Sequence, residues 1–221
     1  MSRDLYEQEL TELRDAVLAM GSMAEKAVLD AMESLRDGDE EWSRKIIEDD
    51  ARINAKRFEI EDKALFVIAS QQPVATDLRV LASILYIVTD LERIGDHAEG
   101  IAKINLMMGD EPLPRKLGYI PSMADRAIAM LRNSMRAFLT RDVDLARQIC
   151  DADDEVDRLQ DSVYAESFKT MIEDPKSVER QTYMLWASHN LERIADRCTN
   201  ICERVIYTVT GRMQEINVSN Y

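Results

Sequence analysis

DLERIGD at Asp90–Asp96 and NLERIAD at Asn190–Asp196 share five of seven residues and stand one hundred positions apart. Matched segments at that distance in a chain of 221 residues mark an internal repeat. Between them GDEPLPRKLG, Gly109–Gly118, concentrates two Gly and two Pro in ten residues and is the obvious linker. The expected units are therefore residues 1–110 and 119–221, each large enough to bury a core.

Three helices are expected on each side of the linker. In the first repeat they run from about Ser2 to Arg36, Glu40 to Ser70 and Pro73 to Met108. Leu10, Leu13, Val17, Met20, Ala24, Ala27 and Ala31 recur at three and four residues, the period of one helix face. Gly38 ends that helix and Asp39 can cap the next. The second repeat follows the same plan, from about Pro121 to Leu139, Asp142 to Ile172 and Pro175 to Thr210. Pro73 and Pro175 suit a first helical position, and Asp174 suits the cap before it. Only seven Gly, five Pro and 6% aromatic residues occur, which favours helix over strand. The expected fold is all-α: two tandem three-helix bundles of six long antiparallel helices.

A formal charge of −14 argues against nucleic acid, whose backbone needs clustered Lys and Arg. It also argues against a simple basic pocket for free phosphate, so phosphate sensing would be indirect or metal-mediated. The apolar run Val80–Val88 is far shorter than the roughly 20 residues that span a bilayer, and MSRDLYEQEL carries no signal core. Cytoplasmic residence is expected. Cys150, Cys198 and Cys202 form no CxxC pair, which suits a reducing compartment; Cys198 and Cys202 share a helix face, as core packing or as a soft-metal pair.

The acidic residues carry the chemistry. Glu92 and Asp96 lie four apart, as do Glu192 and Asp196, so each pair offers carboxylates from adjacent turns of one helix. Both pairs stand one residue past the apolar seam, on an expected partly exposed shoulder. Asp50 and Asn54 have the same spacing on helix two, and Asp153 and Asp157 on helix five. Asp50 lies 23 residues before Pro73 and Asp96 lies 23 after it; Asn54 and Glu92 are each 19 away. Around Pro175 the distances agree within one residue, so in each hairpin the pairs come level. Facing carboxylates repel, and a cation between them would relieve it. Oxygen ligands suit Mg, Ca, Mn or Fe better than a closed Zn site, with His97 as an assisting neighbour. The alternative is a solvated acidic face neutralised by Arg52, Arg57, Arg93, Arg158, Arg193 and Arg197. There is no Gly-rich phosphate loop, nucleophile elbow or ExxH pattern. In QQPVATDLR, Gln71–Arg79, Asp77 reads as an ordinary charge at a helix N-terminus.

QQPVATDLR, TDLERIGDHAEGIAKI and NLERIADRCTNICE together resemble the PhoU family over nearly the whole chain. The resemblance implies two side-by-side three-helix bundles whose recurring E(D)xxxD motifs hold metal clusters. Glu92, Asp96, Glu192, Asp196, Asp153 and Asp157 match those motifs. Asp50 and Asn54 match less fully, because Asn54 brings a neutral amide, and Arg197 stands where a histidine often follows the second motif. The implied function is negative regulation: a non-enzymatic adaptor that restrains the phosphate ABC transporter, through its ATPase, and the phosphate-sensing histidine kinase when phosphate is plentiful. Metal ions (Fe, Mg, Mn, Ca or Zn) are the expected cofactors, a homodimer the expected assembly, and membrane proximity is expected only through partners. The other readings are a metal-dependent hydrolase and a metal-free helical adaptor for another transporter.

Overall fold

The computed structural model describes residues 3–109 and 118–213. The expected start at Ser2, most of the linker and the tail from residue 214 lie outside them. Six long α-helices follow one another: α1 (Arg3–Asp37), α2 (Glu40–Gln71), α3 (Thr76–Met108), α4 (Ile120–Thr140), α5 (Val143–Glu173) and α6 (Val178–Thr210). No strand occurs among the described residues.

The helices form where apolar residues recur on one face. On α1, Leu13, Val17, Met20, Ala24, Val28, Ala31 and Leu35 are fully buried, a stripe with a period near 3.6. Val28 holds the seam position expected of Ala27, which lies at its edge. Equivalent caps open α2 and α5: Asp39 Oδ1 accepts from Trp42 N–H at 2.8 Å, and Asp142 Oδ1 accepts from Leu145 N–H at 2.9 Å.

Two helix starts differ from expectation. Pro73 belongs to the turn between α2 and α3, not to α3, which begins at Thr76. Gln72 closes α2 in the left-handed conformation, and Ala75, at φ 52°, cannot extend α3 backwards. Pro175 opens a single 3-10 turn, Pro175–Ser177, capped by Asp174, and α6 starts after it.

The two three-helix bundles are fastened along α3 and α6, which run antiparallel at the centre of the molecule and share one apolar core. Burial against both its own bundle and α6 explains the run Val80–Val88: Val80, Leu81, Ile84, Ile87 and Val88 all face protein. No described helix is long and apolar enough to cross a membrane. Polar residues fix the register of this seam. Thr208 donates to Ser83 Oγ at 2.8 Å, Asn200 Nδ2 donates to Asp90 Oδ1 at 3.2 Å, and His97 Nδ1 lies 3.1 Å from Asn190 Oδ1. Asp90 and Asn190 are equivalent repeat positions, so the crossing is a pseudo-two-fold in which each copy of one position bonds the other repeat. Outside it α1 and α4 pack antiparallel, with Arg132 Nε donating to Glu25 at 2.7 Å.

Candidate functional site

The long antiparallel hairpins α2–α3 and α5–α6 bring the E(D)xxxD residues of neighbouring helices to one level. In the first repeat Asp50 lies within electrostatic reach of Asp96, Glu99 and Glu92; burial first, and then these neighbours, raise its pKa. A β-carbon on Gly95 would stand 3.2 Å from Asp50 Oδ1, so α2 and α3 approach closely there. Beside them a recess of about 320 Å³, walled partly by Trp42, Asp49 and Asp50, opens between α1 and α2. In the second repeat Asp157, Glu192 and Asp196 interact with one another. Burial, reinforced by Asp196 and Asp157, lifts the Glu192 pKa to about 7, and burial and Asp196 also raise that of Asp157. Asp153 lies deeper, at 4% exposure.

One expectation needs correction. Glu92 and Glu192 are not on a partly exposed shoulder: each is only 8% exposed, because the neighbouring helix covers the flank of the seam on which they stand. Asp50, Asn54, Asp96 and Asp196 are half-buried, and Asp157 is exposed.

The charge is balanced largely by the motifs' own arginines. Arg93 Nη1 donates to Asp96 at 2.9 Å, with its Nε 3.5 Å from Glu92; Arg193 Nη1 donates to Asp196 at 3.1 Å, with its Nε 3.4 Å from Glu192. The first repeat adds two partners, as Arg57 Nη1 donates to Glu92 Oε1 at 3.1 Å and Asn54 donates to Asp50 at 2.7 Å. The other arginines serve elsewhere: Arg52 pairs with Asp49, Arg158 bonds the Asp154 carbonyl, and Arg197 lies 3.6 Å from Asp90 across the seam. His97 likewise turns to Asn190 instead of assisting the carboxylates, whereas His189 Nδ1 sits 3.6 Å from Glu192. All three cysteines are buried free thiols, and Cys198 donates to the Ile194 carbonyl.

Among the described residues no three acid, histidine or cysteine side chains stand arranged to chelate an ion. The donors nevertheless suit a hard cation. Glu192 Oε2, Glu92 Oε2 and Asp50 Oδ1 are buried without a hydrogen bond, and each faces further carboxylates. The second face fits better than the first, where Asn54 and Arg57 already occupy acceptor positions.

Comparison with known proteins agrees with this duplicated architecture. The family model described as the PhoU domain matches twice, over residues 17–104 and 120–205. This chain belongs to the PhoU family. A relative from Clostridium acetobutylicum, called a phosphate-specific transport system accessory protein PhoU homolog, is 41% identical over 98% of this chain and 100% of its own length. The Escherichia coli K12 protein of similar name is 31% identical, over 94% of this chain and 86% of its own. The crystal structure of PhoU from Pseudomonas aeruginosa superposes with a TM-score of 0.88 at 35% identity, covering 94% of this chain and 100% of that one. The phosphate transport system regulatory protein PhoU from Streptococcus pneumoniae gives 0.89 at 30% identity, covering 95% and 99%. The PhoU repeat boundaries fall on either side of the linker.

Proposed function

We propose that this PhoU-family chain is a cytoplasmic, non-enzymatic regulator of phosphate uptake that restrains the phosphate ABC transporter and the phosphate-sensing kinase when phosphate is plentiful. The observation that carries this reading is the end-to-end likeness, through both repeats, to accessory proteins of phosphate-specific transport. The rigid α3–α6 spine, held by paired polar contacts, suits a scaffold that presents fixed surfaces to the transporter ATPase and the kinase. A homodimer is the proposed assembly.

The carboxylate faces are proposed as metal sites. Asp157, Glu192 and Asp196, with Asp153 beside them, would hold an ion in the second repeat; Asp50, Glu92 and Asp96, with the weaker Asn54, would do so in the first. A bound ion would supply positive charge that offsets carboxylate repulsion and pins each hairpin. Mg, Mn, Ca and Fe suit these oxygen donors, and His189, 3.6 Å from Glu192, is a nitrogen donor beside the second face.

The test is a phosphate-regulon reporter, such as alkaline phosphatase, in phosphate-replete cells with and without this gene. Deletion should give constitutive expression that the intact gene represses again. Repression unchanged by deletion would overturn the regulatory reading.

A further inference from the structure

At the end of the molecule where α1 begins, α3 begins and α4 ends, the structure leaves a recess of about 730 Å³. Its walls include Tyr6 and Arg14 from α1, Asp77 from α3 and Arg141 from the end of α4. The two arginines are 127 positions apart in sequence and come from different repeats. Among the described residues neither has a carboxylate within the 4.0 Å of an ion pair. The Tyr6 hydroxyl is buried there without a hydrogen-bond partner. In a chain of charge −14, two guanidiniums close enough to repel, neither of them ion-paired, stand beside an unused buried hydroxyl.

The backbone adds an independent observation. Arg141 is held at φ 55°, the left-handed region that favours glycine, and Gly38 fills the equivalent place at the end of α1. A non-glycine residue kept in that conformation carries strain, of a kind that collects at ligand sites. The strain puts a guanidinium on the rim of the recess, where glycine would put nothing.

We propose that Arg14 and Arg141, with the Tyr6 hydroxyl as a further donor, form a binding site for a phosphate-type oxyanion. Two guanidinium forks and a hydroxyl present about five donors, more than the roughly four acceptor sites of one carboxylate can satisfy, whereas a tetrahedral oxyanion takes them all. The recess is larger than a bare ion needs and falls within the range of small-molecule sites, so a phosphate ester also fits. Burial and the neighbouring Arg141 charge lower the pKa of Arg14, and an anion between the two groups would relieve both effects. Asp77 and Glu7 line the same recess and oppose an anion, so they hold its affinity down. The overall charge argues against a basic phosphate pocket only on average; folding brings two distant arginines together and makes a local one.

The experiment is isothermal titration of the full chain at low salt, with chelator present so that no metal bridges the anion. The probes are inorganic phosphate and a nucleoside triphosphate. Saturable binding of at least one is expected, weakened about tenfold or more by Arg141→Gln and by Arg14→Gln, and tightened by Asp77→Asn. Arg141 is exposed, so its variant should fold, which circular dichroism checks. Arg44→Gln, on the outside of α2, should bind as wild type does. Equal affinity for both probes identifies the free ion as sufficient; a much tighter nucleotide identifies an ester. No saturable binding of either, or affinity unchanged by Arg141→Gln, overturns the proposal.

Discussion

Arg141 takes at the end of α4 the left-handed backbone conformation that Gly38 takes at the end of α1, with φ of 55° and 67°. The following residues are equivalent too, since Asp39 and Asp142 cap the next helix in the same way. The two repeats thus make one turn with different residues, and the arginine version carries strain that glycine avoids.

Arg141→Gly is therefore expected to stabilise the fold by about 0.5–1 kcal/mol, partly offset by the extra freedom of glycine in the unfolded chain. For a chain of this size that raises Tm by roughly 2 °C. Thermal unfolding of wild type and variant measures it. A lower Tm in the variant would mean that contacts of the arginine side chain outweigh the strain.

Asp90 and Asn200 should be energetically coupled across the seam between repeats. Asp90 is largely out of solvent, and burial raises its pKa against the opposing pull of Asn200 and Arg197. Removing Asn200 leaves a buried carboxylate short of a donor, a defect that costs about 1–3 kcal/mol. Asp90→Ala, Asn200→Ala and the double variant, compared by denaturant unfolding, should give a coupling of about 1 kcal/mol. Additive effects would show that the apolar core alone sets the register of α3 on α6.

Helix number and repeat could be read from periodicity and punctuation, because both are local properties of the chain. The levelling of Asp50 with Asp96 was also legible, since equal rise along two antiparallel helices makes it arithmetic. What sequence spacing did not convey was depth. Glu92 stands beside the seam on α3, yet how far it is buried depends on α2 lying over it. Arg57 is 35 positions from Glu92, and Asn190 is 93 from His97, so these contacts carry no local signal. Prolines misled in two places: Pro73 is compatible with a first helical position, but the positive φ of Ala75, a property of the folded turn, ends the connection later, and Pro175 opens a 3-10 turn ahead of α6.

The raised pKa of Glu192 gives a pH dependence in metal-free protein. Its ordinary value of 4.5 becomes about 7 in the fold, chiefly through burial and then through Asp196. Between those values the folded state holds a proton that the unfolded state releases. The contribution of Glu192 is therefore fully present below about pH 4.5 and is lost as pH rises through about 7. Glu192→Gln keeps a neutral side chain at every pH. Relative to wild type, the variant should gain stability between about pH 5 and about pH 8. Urea midpoints at the two pH values test this; a variant-minus-wild-type difference identical at both would show that Glu192 titrates normally.

Arg193 should compete with metal at the second carboxylate face. Its guanidinium spans Asp196 at 3.1 Å and Glu192 at 3.4 Å, supplying the positive charge that an ion would otherwise bring. An ion taking these two carboxylates has to displace it. Arg193→Gln should then bind Mn²⁺ about tenfold more tightly in a chelator-controlled titration, because two acidic groups lose their nearest cation. Adding Asp196→Asn should cancel the gain. Arg158→Gln should have no such effect, since Arg158 bonds a backbone carbonyl of α5. The first face should respond less to Arg93→Gln, because Arg57 still holds Glu92 and Asn54 still bonds Asp50. Should Arg193→Gln leave Mn²⁺ affinity unchanged while the protein stays folded, the arginines are not placeholders, and the duplicated acidic pairs are better explained as faces neutralised permanently by their own motifs.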